Sequence, residues 1–392
     1  MRIGIDARWI YPQLSGIGAH TRDLIRHLAV LPETAQDEFI LFFHDDSVRC
    51  EVLSDPDIAA NPRISSVLLP WSTFSPANQL FFPRELRRYG IDVYHSTNYM
   101  IPLLAFPRNK AGHPRCVITV HDLIPLKHPE FTPRALKTRL LPVFRALIRE
   151  VARRADAVIT VSDCSRNDLT ELLRMTPERA SEVHVIPNGV DHRFTPGPDI
   201  SQRAPVILYV GRLDPYKNVP LLIRAFASLL RDIPQARLQL IGPPDPRYPE
   251  AENTIRELGL QSHITKTGYL PDAELLHAYQ SAAVLVLPSR YEGFGLPVAE
   301  AMACATPVVC THAASLPEVA GEAALLIPPN DEAALAQALR RILQDEPLRR
   351  RLSEAGPPRA ARYAWPEVAR QTAALYHALA IRPSLDTDLP DK

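Results

Sequence analysis

No run of about 18 apolar residues, the length that a membrane-spanning helix requires, occurs in the 392 residues. Lysine plus arginine (44) equals aspartate plus glutamate (44), so no excess charge points to nucleic acid. The five cysteines form no C-x-x-C pair, and an odd number is typical of reduced thiols. The N-terminal MRIGIDARWIYP lacks the long apolar run of a signal peptide. These absences predict a cytoplasmic protein.

Short β-rich runs alternate with helical stretches along the first half of the chain. The predicted strands are Arg2–Ile5, Glu38–Phe43, Ile91–His95, Cys116–His121, Ala157–Val161 and Val183–Pro187. Such alternation predicts a parallel sheet with helices on both faces. Because open α/β sheets bind substrates beyond the carboxyl ends of their strands, polar residues that follow these strands are the first candidates for a site.

The pattern restarts after residues 191–205, whose proline, glycine and polar content is typical of a linker. The new strands are predicted at Val206–Val210, Arg237–Ile241, Ile264–Thr267, Ala283–Leu287 and Pro307–Cys310, with a helix over about 219–230. We predict an α/β protein of two doubly wound Rossmann-like domains, 1–195 and 203–365, facing across a cleft. Pro366 is expected to kink the last helix, so that about 366–382 completes the first domain.

The densest candidate site is RYEGFGLPVAE, residues 290–300, which follows a predicted strand. Pro297 suits the first turn of a helix. Backbone N–H groups at such a helix N-terminus bind phosphate through hydrogen bonds and the helix dipole. The amides in question are those of Phe294, Gly295 and Leu296. The carboxylates of Glu292 and Glu300 could each accept hydrogen bonds from sugar hydroxyls. The plain alternative is that Glu292 is an ordinary acid before a helix and Glu300 a solvated glutamate on it.

A second candidate is GRLDPYKN, residues 211–218, directly after the predicted strand that ends at Val210. Arg212 offers a planar fork of donors and Lys217 a point charge. Together they could neutralise a diphosphate leaving group, because positive charge at a strand-to-helix loop stabilises developing negative charge. A solvated pair of loop charges is the plain alternative.

Two further candidates lie in the first half. Gly16 and Gly18 follow the first strand, but Thr21 stands where a dinucleotide fingerprint requires its third glycine, which disfavours an oxidoreductase. A tight turn explains these glycines equally well. His121 ends a predicted buried strand, from which it could donate to a sugar oxygen or to a developing charge. A histidine in that place is also compatible with an ordinary satisfied polar group.

Taken together and in this order, the motifs resemble the family-4 glycosyltransferases, the large retaining group with the GT-B fold. The resemblance covers most of the chain. It is carried by the Gly16 loop, His95-Ser-Thr97, Thr119-Val-His-Asp122, residues 155–162, 186–191 and 210–218, and Glu292-Gly-Phe-Gly-Leu-Pro with Glu300. The seven residues between the two glutamates are the family's E-x7-E spacing.

The resemblance implies a role for each candidate. Arg212 and Lys217 would bind the donor diphosphate, Glu300 the ribose, and Glu292 and His121 the transferred sugar. The backbone at Gly16 and Gly18 would lie close to the phosphate. The nucleotide base would lie near Gly268, Tyr269 and Leu270. His121, Arg212, Lys217 and Glu292 would be the catalytic residues. The implied reaction is front-face transfer with retention, in which the leaving phosphate takes the acceptor's proton, without metal or cofactor. Two D-x-D matches, at Asp55 and Asp386, are interpreted as chance.

The donor and acceptor follow only from a finer resemblance. Residues 4–8, GIDAR, and 121–125, HDLIP, look most like bacterial mannosyltransferases of polysaccharide and O-antigen assembly. This favours GDP-mannose as donor and a glycan or lipid-linked acceptor. A UDP-hexose-dependent transferase stays open, and so does a sugar-nucleotide epimerase, which would change the donor when incubated with it alone. A sugar-nucleotide sensor is disfavoured because every donor-binding position is filled.

Residues 132–154 combine seven basic side chains with one acid, Glu150, and a row of apolar residues. A basic amphipathic helix of this kind can lie on an anionic bilayer. The segment therefore predicts a peripheral contact with the inner face of the cytoplasmic membrane. The alternative is that its apolar side packs on the first sheet and its charges are merely solvated. Pro142 would kink or split any helix there.

Overall fold

A computed structural model describes residues 1–12, 16–108, 114–131 and 141–381 of the chain. The described residues form two compact units: 1–127, 141–189 and 365–381 make the first, and 128–131 and 190–364 the second. The first unit ends at Gly189 rather than at residue 195. Residues 191–205 are not a free linker, because the Arg203 guanidinium is buried and donates to the Ala282 carbonyl and the Thr306 hydroxyl.

The first unit is built on a seven-stranded parallel sheet of order β3-β2-β1-β4-β5-β6-β7. Its strands are β1 Arg2–Asp6, β2 Glu38–Phe43, β3 Ile64–Leu68, β4 Val93–Ser96, β5 Arg115–Val120, β6 Ala157–Thr160 and β7 Val183–Val185. The strand order reverses between β1 and β4, which places a topological switch point at their carboxyl ends. The sequence did not predict β3, whose ISSVL is half polar and lies at the sheet edge.

Helices cover both faces of this sheet, as its strands require when they are apolar on both sides. They are α1 Gly16–Val30, α2 Asp46–Leu53, α3 Pro56–Ala59, α4 Pro76–Arg88, α5 Ile124–Lys127, α6 Leu141–Arg154, α7 Asp163–Leu173 and α8 Pro177–Ala180. Gly16 and Gly18 stand in the first turn of α1, so the predicted glycine loop at these residues is a helix start.

The second unit has a six-stranded parallel sheet of order β10-β9-β8-β11-β12-β13. Its strands are β8 Val206–Val210, β9 Arg237–Ile241, β10 Ile264–Thr267, β11 Val284–Leu287, β12 Val308–Thr311 and β13 Ala324–Ile327. Its helices are α9 Val219–Leu229, α10 Glu250–Glu257, α11 Asp272–Ser281, α12 Leu296–Ala303, α13 Leu316–Ala320, α14 Glu332–Gln344 and α15 Glu346–Ala360. The predicted α/β class with two doubly wound parallel sheets is confirmed.

The chain returns to the first unit through α16, Trp365–Ile381. Pro366 lies in the first turn of this helix, where its missing N–H has no helical partner to lose, so it starts the helix rather than kinking one. Trp365, Val368 and Tyr376 are buried in the same core as Ile3 and Ile5 of β1. Among the described ranges, no helix combines the length and apolar character needed to cross a membrane.

Candidate active site

The two motif loops of the second unit meet at the switch point of its sheet. β8 and β11 are paired neighbours, and the strand order reverses between them. Residues 211–218 leave the carboxyl end of β8, and residues 288–295 leave that of β11. The Arg290 amide donates to the Tyr216 carbonyl oxygen at 2.7 Å, which joins the two loops directly. This is the place where open α/β sheets bind ligands.

Lys217 and Glu292 form a buried ion pair at this junction. The Lys217 ammonium lies 2.7 Å from Oε1 and 2.9 Å from Oε2 of Glu292. The two side chains are only 12% and 9% exposed. Burial alone would lower the pKa of Lys217, but the Glu292 carboxylate more than compensates, and the pKa is raised. Lys217 therefore keeps its positive charge at neutral pH, directly beside the Glu292 carboxyl group.

Two serines hold the Glu292 loop in place. The Ser289 hydroxyl donates to Glu292 Oε1 at 2.6 Å. The Ser315 hydroxyl lies 2.9 Å from the carbonyl oxygens of both Glu292 and Phe294. The sequence interpretation did not include these serines, because nothing local distinguishes them from ordinary loop or helix-cap residues. Ser289 thus orients the carboxylate, and Ser315 holds the backbone of the loop on both sides of Gly293.

The same loop starts α12 at a glycine. Gly295 has φ of 96°, a left-handed conformation that side chains rarely adopt, and a Cβ there would lie 2.5 Å from the Leu316 side chain. Pro297 occupies the first turn of α12, as predicted. The amides of Phe294, Gly295 and Leu296 therefore stand at a helix N-terminus, where helical acceptors for N–H groups are missing.

Glu300 lies one turn inside α12, and its carboxylate is held by α11. The Tyr279 hydroxyl donates to Glu300 Oε2 at 2.6 Å. Tyr279 is completely buried, and this burial together with the neighbouring carboxylate raises its pKa well above the ordinary value. Sequence reasoning did not identify this contact, because a tyrosine on the inner face of a helix looks like any core tyrosine.

Arg212 is not part of the buried pair. Its side chain is 57% exposed and bonds to Asp214, with its Nε 2.9 Å from Oδ2. Gly268 and Tyr269 follow β10, and the Tyr269 side chain is 67% exposed. Leu270 comes next, directly before Pro271 and α11. The structure thus brings Lys217 and Glu292 together, places Glu300 inside α12, and leaves Arg212, Gly268 and Tyr269 on the loops that follow β8 and β10.

A cavity of about 400 Å³ opens beside these strand ends, lined by Leu213, Gly242, Tyr248 and Gly268 among others. The Tyr248 side chain is 8% exposed. Its buried hydroxyl has no hydrogen-bond partner within the described part of the chain. A buried polar group of this kind is costly unless a ligand or water satisfies it.

In the first unit, His121 directly follows β5 and its Nε2 lies 3.1 Å from the Thr97 carbonyl oxygen. Since a carbonyl only accepts, Nε2 carries the proton and Nδ1 of the neutral ring is an acceptor. Burial lowers the pKa of His121 to about 4, against the opposing effect of the Thr97 carbonyl. The donor role considered from the sequence would need a second proton on this ring.

The sequence interpretation missed His20, which packs edge-on against His121 with ring centroids 4.8 Å apart. Its pKa is lowered well below the ordinary value, first by burial and then by His121. His20 is in the first turns of α1, after Gly16 and Gly18. Residues 13–15, directly before Gly16, lie outside the described residues.

The D-x-D match at Asp55 has a structural role. The Asp55 side chain accepts from the Asp57 amide and caps α3, while Arg26 Nε lies 2.8 Å from Asp57 Oδ2. Helix capping and an ion pair account for both aspartates. The second match, at Asp386, lies outside the described residues.

Two family models divide the chain between them. Residues 14–194 match the model described as Glycosyltransferase Family 4, and residues 193–359 match Glycosyl transferases group 1. The chain is 31% identical to the O-antigen chain mannosyltransferase B of Escherichia coli, with 94% of this chain and 97% of that protein covered. It is 33% identical to an MMP alpha-(1->4)-mannosyltransferase of Mycolicibacterium hassiacum, with 96% and 98% covered.

A solved structure of similar fold is the sucrose-phosphate synthase of Thermosynechococcus elongatus. The TM-score is 0.76 at 26% sequence identity, over 97% of this chain and 99% of that chain. Both sheets and the returning C-terminal segment therefore have a counterpart of known structure.

Proposed function

Because the chain belongs to the family-4 glycosyltransferases and has their GT-B fold, we propose that it is a retaining mannosyltransferase with GDP-mannose as its donor. Glycosyl transfer follows from the family. The choice of mannose is supported by the two mannosyltransferase relatives, which match nearly the whole chain. The acceptor that we propose is a glycan or lipid-linked glycan of cell-surface polysaccharide, which the O-antigen relative favours.

The observation that carries the proposal is the buried Lys217–Glu292 pair at the switch point of the second sheet. A donor diphosphate would give the Lys217 ammonium a second anion to bind. Negative charge grows on that diphosphate as the glycosidic bond breaks, and a pre-positioned cation stabilises it. Arg212, on the same loop but largely exposed, can reach the diphosphate as a second, bidentate donor.

Glu292 and Glu300 divide the rest of the donor between them. The Glu292 carboxylate, oriented by Ser289, accepts hydroxyls of the transferred sugar. Glu300, held by Tyr279, accepts the ribose hydroxyls. The N-terminal amides of α12 lie between the two glutamates in the chain and bind phosphate. We include Tyr279 and Ser289 as positioning residues.

The reaction we propose needs no metal and no cofactor. The acceptor hydroxyl attacks the anomeric carbon on the face from which the diphosphate departs, and the departing phosphate oxygen takes the hydroxyl proton. Family membership supports this route, together with the positive charge that Lys217 and Arg212 supply. Neutral His121 has an acceptor Nδ1, so a hydrogen bond between this atom and a ligand hydroxyl would be donated by the hydroxyl.

A screen of nucleotides tests the donor. Thermal shift and calorimetry with GDP, UDP, ADP and their sugar forms, each with and without Mg²⁺, should give the tightest binding for GDP and GDP-mannose, unchanged by the metal. A preference for UDP and a UDP-hexose would replace the GDP-mannose assignment by the rival donor. Incubation of the donor alone distinguishes the other class, since an epimerase converts it and a transferase only hydrolyses it slowly.

Glu300→Gln and Glu292→Gln should differ in kind. Glu300→Gln is expected to weaken GDP and GDP-mannose alike, by about ten- to a hundredfold, because the ribose belongs to both ligands and a hydrogen bond to a charged group is worth ~1.5–3 kcal/mol. Glu292→Gln should weaken only GDP-mannose. It also frees the Lys217 ammonium from its buried partner, so GDP affinity should stay constant or rise.

Calorimetry with GDP and with GDP-mannose separates these outcomes. Tyr279→Phe, which removes only the hydroxyl that orients Glu300, is the matched variant and should follow Glu300→Gln with a smaller loss. Equal losses of GDP affinity in the Glu292 and Glu300 variants would contradict the division of roles.

A further inference from the structure

Residues 132–154 carry the membrane contact that the sequence predicts. In helix α6, the side chains of Ile148 and Val151 are buried, whereas Val143 is 62% exposed. Residues 132–140 lie outside the described ranges. The contact of this segment with a membrane therefore stays a prediction.

The motif GIDAR, residues 4–8, forms a buried polar network at the carboxyl end of β1. The Arg8 guanidinium donates to both carboxylate oxygens of Asp6, at 2.8 and 2.7 Å. The Tyr94 hydroxyl of β4 donates to Asp6 Oδ2 at 2.6 Å. All three residues are at most 4% exposed. Because apolar residues of similar volume often give equal or greater stability than a buried ion pair, stability alone does not explain this network.

The network also fixes two neighbouring loops. Nη1 of Arg8 donates to Asn78 Oδ1 at 2.8 Å, and the Asn78 amide donates to the Thr73 carbonyl oxygen at 3.0 Å. Trp9 is the residue after Arg8, and Phe74 is the residue after Thr73. One chain of hydrogen bonds thus sets the positions of two aromatic residues from different segments of the first unit.

Aromatic rings from three segments meet at this place. The Trp9 and Phe74 rings pack edge to face, with centroids 5.7 Å apart. The ring of Tyr99, which follows β4, has its centroid 6.5 Å from that of Trp9. Trp9 is only 5% exposed, but Phe74 is 58% and Tyr11 45% exposed. We call Trp9, Tyr11, Phe74 and Tyr99 the aromatic platform; its buried tryptophan supports rings that are open to solvent.

Polar groups lie beside the aromatic platform. Burial raises the pKa of Tyr99 to about 12, and the neighbouring Asp122 and Tyr11 act in the same direction. Asp122 follows His121 at the end of β5. Since β1, β4 and β5 are consecutive parallel strands of the sheet, their carboxyl ends share one edge. The aromatic platform therefore lies on the same edge as His121, where open α/β sheets bind ligands.

We propose that the aromatic platform binds a sugar ring of the acceptor, with Phe74 and Tyr11 stacking against it. A hexopyranose has C–H groups on its faces and hydroxyls around its rim. The negative face of an aromatic ring attracts polarised C–H groups, and a few polar groups beside it bind the hydroxyls. An acyl chain matches the rings but not the polar groups.

Asp6, Arg8 and Asn78 act as positioning residues, because they hold the segments that carry the rings without forming part of the exposed surface. A platform that is fixed in advance loses little side-chain entropy when a ligand binds. The inference rests on the proposed glycosyl transfer and identifies the part of the first unit that recognises the acceptor. It does not depend on the identity of the donor.

Saturation-transfer NMR on the full chain tests the proposal. The probes are methyl α-D-mannopyranoside, methyl α-D-glucopyranoside and methyl α-D-galactopyranoside, each with and without GDP. At least one probe should bind the wild type, with saturation strongest at the C–H protons of one ring face. F74A should weaken this binding about tenfold and Y11A severalfold, because each removes an aromatic contact. F74Y should bind like the wild type, whereas F74L should lose most of the affinity.

The matched control is F81A, because Phe81 is an exposed phenylalanine of the same unit, 44% accessible, outside the aromatic platform. It should bind the probes like the wild type. Binding of no probe, unchanged binding in F74A or F74L, or an equal loss in F81A would overturn the proposal.

N78A tests the positioning role. This variant should bind the probes severalfold more weakly while its GDP affinity stays constant, because it frees the segment that carries Phe74. A merely structural role would lower the melting temperature and leave the probe affinity of the folded protein unchanged, which would refute the positioning role. GDP affinity should be the same in all variants, so a wrong donor assignment would appear in the GDP titration and not in the binding of the sugar probes.

Discussion

Replacing Lys217 by alanine is expected to lower kcat by about 10²–10³, the usual cost of losing one pre-positioned electrostatic donor at a developing charge. The structure adds a second consequence. Glu292 is 9% exposed and would lose its cation, and a buried charge without its partner destabilises a protein by several kcal/mol. The buried pair therefore predicts a less stable second unit in this variant.

The kinetic effect must therefore be measured well below the unfolding temperature of each variant. Arg340→Ala is the matched control, because Arg340 pairs with Asp232 on the surface of the same unit, where the two side chains are 38% and 43% exposed. Surface pairs of this kind contribute little, so kcat should be unchanged. Near-normal turnover of Lys217→Ala would refute the leaving-group role. Arg212→Ala should be strongly non-additive with it, since both residues act on one diphosphate.

Trp365→Ala is expected to reduce the unfolding free energy of the first unit by ~3–5 kcal/mol, as for other buried tryptophans. Trp365 is 3% exposed and packs against His20 and His27, with ring centroids at 5.4 and 5.5 Å. A Cβ at Gly189 would lie 2.2 Å from the indole, which shows how closely the ring covers the backbone where the first unit ends. Truncation leaves a cavity at the start of α16.

Hydrogen exchange followed by mass spectrometry measures this effect unit by unit. Peptides of β1, β4 and β5 should lose protection in Trp365→Ala, and peptides of β8 and β11 should keep it. Trp71→Ala serves as control, because Trp71 is only half-buried and its indole N–H has no partner in the described structure. Uniform loss of protection in both units, or an effect no larger than that of Trp71→Ala, would contradict the importance of this packing.

The sequence predicted most strands because buried parallel strands are continuous apolar runs. It missed β3 and β13, which are the outermost strands of their sheets and only partly buried. The polar residues of β3 dilute the apolar run that identifies an interior strand, but edge position alone does not explain the omission, since the edge strands β7 and β10 were predicted. The role of Pro366 was predicted wrongly, because a proline within a helical stretch can either start a helix or kink one and the local sequence does not distinguish the two.

What the sequence determined by itself was local: the positions of Lys217 and Glu292 on loops after strands, the position of Glu300 in the helix that follows, and the glycine and proline that start α12. These follow from residue spacing and backbone preference within one segment. Only the tertiary structure decided the pairings, because Lys217 and Glu292 are 75 residues apart in the chain and 2.7 Å apart in space. The same holds for Tyr279 at Glu300 and for Arg8 at Asn78, since contacts between distant segments depend on the packing of the whole unit.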